Sequence, residues 1–123
     1  MYNVVFYEDA HRESQLRNEL LSLAKKSINS KDARIQLKQI TLYIELLKSF
    51  GLNQPINISK HLEGEIWELR PGVNRIVFFC YSERTFVLLH MFRKSSQKTP
   101  KSELENARKE VFDFKKRNGG NTI

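Results

Sequence analysis

The stretch EIWELRPGVNRIVFFCYSERTFVLLHMF, residues 65–92, decides the fold of this chain. Apolar and polar residues alternate through three short runs, which is the period of β-strands rather than helices. A Pro-Gly pair at 71–72 separates the first two runs, and Ser-Glu-Arg at 82–84 separates the second pair. Because connections this short join antiparallel neighbours, the stretch predicts a three-stranded meander. The predicted strands are 65–70, 75–81 and 85–92.

Upstream of the meander the apolar residues recur at helical spacing in two segments. We expect Asp9 to cap the first helix, and the pair Asn29-Ser30 to separate it from the second. Glycine is common just beyond the C-terminal end of a helix, so Gly51 predicts the end of the second helix. Before these helices, residues 3–7 predict a first strand, and after them residues 57–60 predict a short additional one.

Downstream of the meander, Thr99-Pro100 predicts the start of a last helix, with Thr99 as N-cap and Pro100 at the first helical position. The residues from Asn118 onward predict a frayed tail. The division is therefore one domain over 1–117 and a flexible tail over 118–123. The order of elements predicts an α+β fold: a curved antiparallel β-sheet with an N-terminal α-hairpin and a C-terminal helix, and with helices on one face only.

Composition narrows the class of protein. The 123 residues are enough for one domain, and 21 Lys and Arg against 14 Asp and Glu give a formal charge of +7. Such an excess of positive charge favours binding to polyanions, of which nucleic acid is the commonest inside a cell. The single cysteine, Cys80, can form no internal disulfide, which fits a cytoplasmic protein. No apolar run is long enough to span a membrane, and the N-terminus does not resemble a signal peptide.

The basic residues of the C-terminal half predict a patch. Arg70 and Arg75 flank the Pro-Gly turn, so a tight hairpin would bring them together at one end of the sheet. His90, Phe92 and Lys94 share parity on the last strand, together with Phe86 and Leu88. Between residues 93 and 101 there are four basic residues and no acid. The candidate patch comprises Arg70, Arg75, His90, Phe92 and Lys94, with Lys60 and Lys98 as further contributors.

These residue types fit RNA chemistry: cations bind phosphates, an aromatic ring stacks on an unpaired base, and histidine or lysine can move protons during attack of a ribose 2′-hydroxyl. Simpler roles stay open for each member. His90 on an apolar strand is more often a hydrogen-bonded core residue, Arg70 could pair with Glu68, and Phe92 could belong to the core. The histidines and glycines lack the spacing of a metal site or a phosphate loop.

The segment HLEGEIWELRPGVNRIVFFCYSERTFVLLHMFRKSSQKTP, followed by a basic amphipathic helix, resembles the phage-derived HigB-like branch of the RelE/ParE toxin superfamily. The most specific features are ELR ending at Arg70, Arg75 opening the next strand, and LLHxFxK ending at Lys94. The resemblance implies a RelE-like, microbial-ribonuclease-like fold and a ribosome-dependent mRNA endonuclease that uses no metal or other cofactor. The site residues it implies are Arg70 and Arg75 on the scissile phosphate, His90 and Lys94 for proton transfer, Phe92 for stacking, and Lys60, Arg93 and Lys98 along the RNA.

The resemblance also implies a cognate antitoxin, a helix-turn-helix protein of the HigA type, through which alone the complex would contact DNA. Two other functions stay open. The ParE branch of the same superfamily inhibits DNA gyrase, although its members lack the basic catalytic set that Arg70, Arg75 and Lys94 match here. A basic module that binds nucleic acid without cutting it would also account for the net charge.

Overall fold

The computed structural model describes residues 1–53 and 57–118. Over these ranges the chain forms five strands and three helices. In chain order the elements are β1 (Asn3–Phe6), α1 (Gln15–Lys26), α2 (Lys31–Phe50), β2 (Ser59–Glu63), β3 (Ile66–Leu69), β4 (Asn74–Ser82), β5 (Thr85–Arg93) and α3 (Lys101–Asn118). The predicted α+β class, with one sheet, an N-terminal α-hairpin and a C-terminal helix, is confirmed. None of these helices is long and apolar enough to cross a membrane.

The sheet has the strand order β1-β5-β4-β3-β2. The meander of β2 to β5 is antiparallel throughout, as its short turns require. The prediction of a wholly antiparallel sheet was wrong at one edge, where β1 pairs with β5 in parallel, Val4 opposite Phe86. Two helices and three strands lie between β1 and β5 in the chain, and this long connection leaves their relative direction free of the constraint that a tight turn imposes.

Helices cover both faces of the sheet, so the prediction that one face would stay open was also wrong. On one face, Leu16 of α1 and Ile40 and Leu47 of α2 pack against the sheet. On the other face, Ala107 and Val111 of α3 do so. The central strand β4 explains this arrangement, because its residues 74–79 are all buried. A strand that is buried on both faces needs a helix layer on each side of the sheet. We call these the hairpin face and the α3 face.

A β-bulge in β5 changes which side chains reach which face. Val77 of β4 lies opposite His90, but Phe78 lies opposite Leu88, so Leu89 is the extra residue. Phe86 and Leu88 therefore lie on the hairpin face, whereas His90 and Phe92 lie on the α3 face. The prediction that these four residues share one side was wrong, because strict alternation fails at the bulge.

Local chemistry explains where the helices begin and end. Ser14, not Asp9, is the N-cap of α1, because its hydroxyl accepts from Arg17 N–H. The Asp9 carboxylate instead accepts from His11 and Glu13 N–H, in a turn that precedes the helix. Ser30 caps α2, and Gly51 with φ of 61° ends it as predicted.

The start of α3 also differs from the prediction. The Thr99 hydroxyl donates to Glu68 Oε1 at 3.0 Å instead of capping the helix, and Pro100 O accepts the first helical bonds from Glu103 and Leu104. Asn118, the first residue of the predicted tail, is still helical. The rest of that tail, 119–123, lies outside the described residues.

Buried polar contacts fasten α3 to the sheet. His90, 6% exposed, lies between two carboxylates of the helix: Glu110 Oε1 is 2.5 Å from Nδ1 and Glu103 Oε1 is 2.9 Å from Nε2. Burial pulls the pKa of His90 down, but the two carboxylates outweigh it, and the pKa rises above its usual 6.5. Both ring nitrogens therefore donate to α3 when the imidazole is charged. At the far edge Tyr7 Oη donates to Asp113 at 2.7 Å.

We expect Gly51→Ala to destabilise the fold by about 3 kcal/mol in urea unfolding. An alanine would have to adopt a left-handed backbone, which costs about 1–2 kcal/mol, and its Cβ would lie 2.6 Å from the Tyr2 ring. Gly64→Ala is the matched control, because Gly64 has a φ of 51° but open space where an alanine Cβ would lie. Equal losses in the two variants would show that the Tyr2 contact has no part in the effect.

We also expect the His90 contact to make stability depend on pH. A group whose pKa is raised by folding stabilises the folded state below its unfolded pKa, near 6.5, and loses that effect as the pH rises through the folded value. Urea unfolding of the wild type and His90→Gln between pH 5.5 and 9 should therefore show the largest difference at the acidic end. A difference that does not change with pH would contradict a charged His90 between the two glutamates.

Candidate nucleic-acid interface

A narrow groove opens on the α3 face, where the chain passes from β5 to α3. Its walls come from the end of β3, the start of β4, the end of β5 and the loop that follows. The lining residues are Glu68, Arg75, Phe92, Lys94, Ser95, Ser96, Gln97, Lys98, Thr99 and Pro100. The hairpin turn fixes the sheet side of the groove, and the first turn of α3 fixes its other side.

Arg75 forms the rigid part of the groove. Its side chain is buried, with the residue 7% exposed, and Nη1 donates to the carbonyl oxygens of Gly72 and Asn74, each at 2.8 Å. Burial lowers the pKa of this guanidinium, and the positive charge of Arg70 lowers it further. Arginine nevertheless stays charged in proteins. The turn thus holds a fixed cation whose remaining N–H groups have no partner in residues 1–53 or 57–118.

Arg70 lies beside Arg75 at the other end of the same turn, as the sequence predicts. Its Nε is buried without a hydrogen bond from the described part of the chain, and lies 3.6 Å from Glu68 Oε2. Glu68 is the carboxylate next to Arg70, and Arg75 lies close enough to both for their charges to affect its pKa. Because a buried excess of positive charge is costly without a counter-charge, the arrangement favours an anion in the groove.

Glu68 is the site residue that the sequence analysis missed. It is 1% exposed, and its second oxygen accepts from Thr99 at the entrance to α3. Glu68 therefore ties the arginines to the loop that forms the opposite wall. Its alternation with Ile66 and Arg70 places it on the correct face from sequence alone, but nothing in the sequence connects it with Thr99, 31 residues later.

Lys94 and Phe92 complete the groove. Lys94 N–H donates to Val73 O at 2.9 Å, which extends the β4–β5 pairing past the last strand residue. The Lys94 ammonium is exposed, and no carboxylate of the described ranges lies within ion-pair distance of it. Phe92 is half-buried opposite Arg75, so one part of its ring surface is available to a ligand. Lys98 lies in the exposed loop, and Lys60 lies on edge strand β2 directly opposite Glu68.

Two of the predicted site residues, Arg93 and His90, do not line the groove. Arg93 is on the hairpin face, where Nη1 lies 3.4 Å from Gln36 Oε1 of α2. His90 is on the α3 face, but both ring nitrogens are occupied by Glu103 and Glu110. Alternation at the end of β5 separates Arg93 from Phe92 and Lys94, while the contacts with α3 occupy His90. A role for either residue at the site stays a prediction.

The groove brings together the fixed Arg75 guanidinium, the Phe92 ring and the free Lys94 ammonium, with Arg70 close to Arg75. This combination is suited to a phosphodiester with an adjoining unpaired base. No group of three or more His, Cys, Asp or Glu side chains within 1–53 and 57–118 is arranged to hold a metal ion.

Comparison with solved structures places this fold among known ones. The RelE–RelB complex from Pyrococcus horikoshii OT3 matches with a TM-score of 0.54 at 14% identity, over 76% of this chain and 96% of that one. The YoeB dimer from Staphylococcus aureus matches with a TM-score of 0.51 at 12% identity, over 77% and 98%. The heterotetrameric YoeB–YefM toxin–antitoxin complex from the same organism gives 0.50 at 12%, over 78% and 99%. At these identities the likeness shows a shared fold.

No curated protein matches the sequence. A family model does: residues 26–111 match the family described as phage-derived protein Gp49-like (DUF891). The match runs from the end of α1 to the buried stripe of α3, and so contains all the strands of the meander and the whole groove. The chain therefore belongs to the phage-derived Gp49-like family.

Proposed function

We propose that this chain is the toxin of a type II toxin–antitoxin module, of the HigB-like kind, and that it cuts mRNA. The observation that carries the proposal is the groove itself: the buried Arg75 lies close to Arg70 and to the buried Glu68 carboxylate, with Lys94 and Phe92 beside it. Membership of the Gp49-like family and a fold shared with RelE and YoeB, which are solved with antitoxin partners, support the same conclusion.

In the proposed reaction, a ribose 2′-hydroxyl attacks the adjacent phosphorus and displaces the 5′-oxygen of the next nucleotide. Arg75, fixed by Gly72 and Asn74, binds the phosphate and stabilises the charge that develops in the transition state. Arg70 provides the second cation. Because these cations are side chains held in place before the substrate arrives, the step needs no metal ion.

Proton transfer falls to Lys94 in this proposal. The attacking hydroxyl loses a proton to water, and the leaving 5′-oxygen gains one from the exposed Lys94 ammonium. His90 has a positioning role in this proposal. Its contacts with Glu103 and Glu110 hold α3 against the sheet, and α3 in turn positions the loop that forms one wall of the groove. Phe92 stacks on the base next to the cut, and Lys60 and Lys98 lie along the RNA backbone on either side.

The setting follows from the same proposal. The substrate is mRNA on a ribosome in the cytoplasm, and a HigA-like helix-turn-helix antitoxin covers the groove when growth is allowed. DNA would be bound only through that antitoxin.

We expect Lys94→Ala to reduce cleavage of ribosome-bound mRNA by roughly 100-fold, the usual cost of losing a proton donor. Arg75→Lys should reduce it by roughly 100-fold or more, because a lysine keeps the charge but not the fixed fork. Arg93→Ala is the matched control: it removes a cation from the next position in the chain but from the opposite face. The measurement is primer extension on a translated transcript with purified ribosomes.

Lys94→Ala should leave the urea midpoint unchanged, since its side chain has no partner in the described ranges. Its binding to a single-stranded RNA that lacks the attacking 2′-hydroxyl should show a salt slope shallower by about 0.7. If Arg93→Ala impairs cleavage as much as Lys94→Ala does, the groove is not the site. If no variant changes cleavage because the wild type has none, the chain is a binding module.

We further expect induced expression to stop protein synthesis before DNA synthesis. Parallel labelling with methionine and thymidine measures the order, and mapping of transcript ends checks that cuts lie within translated regions. The competing gyrase function predicts the opposite order, with relaxed plasmid DNA and intact transcripts. That outcome would favour the ParE-like alternative over RNA cleavage.

A further inference from the structure

A second cleft lies on the α3 face, at the other end of β3 from the groove. It separates the β2–β3 turn from the C-terminal half of α3 and has a volume of about 320 Å³. The floor is apolar, formed by Ile66, Val111 and Phe112. The proposed RNA chemistry uses none of these residues.

Two ion pairs bridge the rim of this cleft. Arg108 forms a bidentate pair with Glu63, at 2.7 and 2.8 Å, which lowers the pKa of that carboxyl. Lys115 pairs with Glu65 further along the helix. These pairs hold α3 beside the turn and cancel the rim charges, so the cleft is an apolar slot between neutralised walls.

The solvent side of the same helix carries an exposed aromatic ring between free cations. Phe112 is 70% exposed, and Lys109 and Lys116 lie three residues before and four after it, on the same stripe. Neither lysine has a carboxylate partner in residues 1–53 or 57–118. Three of the four carboxylates of α3 already bind His90, Arg117 or Tyr7. The fourth, Glu105, lies one turn before Lys109 on this stripe, so the stripe carries two free lysines against one glutamate and is positive on balance.

We propose that this cleft anchors the antitoxin, by taking one apolar side chain of an acidic antitoxin segment. The inference rests on the proposed toxin function and names the surface at which neutralisation begins. The apolar side chain would enter the slot against Phe112 and Ile66, and neighbouring carboxylates would pair with Lys109 and Lys116. A large exposed aromatic ring beside an apolar slot is the type of anchor that dominates protein interfaces.

Protein fits this cleft better than RNA does. Between walls whose charges cancel, the cleft offers a phosphate backbone no net positive charge, whereas a polypeptide has apolar side chains for the floor. The distance also suits a polypeptide. The cleft and the groove are separated by β3, four residues or about 13 Å, which an extended antitoxin segment spans with a similar number of residues.

The test separates neutralisation from toxicity. The antitoxin used is the adjacent-gene product that restores growth to cells expressing the wild-type chain. Phe112→Ser should still arrest growth and cut mRNA as the wild type does, but should bind that antitoxin at least 10-fold more weakly and escape rescue. Leu42→Ser is the matched control, since Leu42 is also exposed, at 54%, but lies on α2 on the opposite side of the sheet. The double variant Lys109→Glu/Lys116→Glu should weaken binding likewise, most strongly at low salt.

Each outcome has one meaning. Normal rescue and unchanged affinity for Phe112→Ser would overturn the docking proposal and leave the toxin function standing. Loss of mRNA cleavage in Phe112→Ser, with antitoxin affinity kept, would assign the cleft to RNA and overturn it as well. If no adjacent-gene product relieves an arrest caused by the wild type, the proposed function fails first, and the docking site with it.

Discussion

The burial of Glu68 between Arg70 and Thr99 is the interaction on which the candidate site depends. One oxygen of this carboxylate accepts from Thr99, and the other faces Arg70 Nε. Breaking a buried charged contact by removing one partner typically costs about 3–5 kcal/mol, because the other charge is left uncompensated. Glu68 therefore joins the meander to the start of α3. The groove exists because these two parts of the chain, distant in sequence, are held to one carboxylate.

The arrangement leaves the site short of negative charge. Arg70 and Arg75 lie at the two ends of a tight turn, and Glu68 is the buried acid beside them. A phosphate would supply the missing counter-charge, and the turn supplies rigidity through Gly72 and Asn74, whose carbonyl oxygens accept from Arg75. Binding and preorganisation thus come from the same few residues.

Much of the fold could be predicted from local patterns. Period, turn residues and the stop at Gly51 predicted the helices and the meander, because each depends on neighbours in the chain. The proximity of Arg70 and Arg75 was predictable for the same reason, since a short turn holds the residues at its two ends close together. What could not be predicted depends on distant contacts: the parallel pairing of β1, the placement of α3 on the second face, and the bond from Thr99 to Glu68. The bulge at Leu89 could not be predicted because residues 86–89 are all apolar. In such a run, an extra residue does not change the sequence pattern of apolar and polar positions.

That extra residue has a consequence for how related chains are aligned. Beyond Leu89 a shift of one position exchanges the two faces of β5, so a homologue without the bulge would present its equivalent of Arg93, not Lys94, to the groove. Residue-by-residue alignment through this strand would then pair side chains that occupy opposite sides of the molecule. The spacing between LLH and the basic residue that follows is therefore as diagnostic as the identity of that residue. A single insertion or deletion here would be enough to redistribute the charges of the site during evolution.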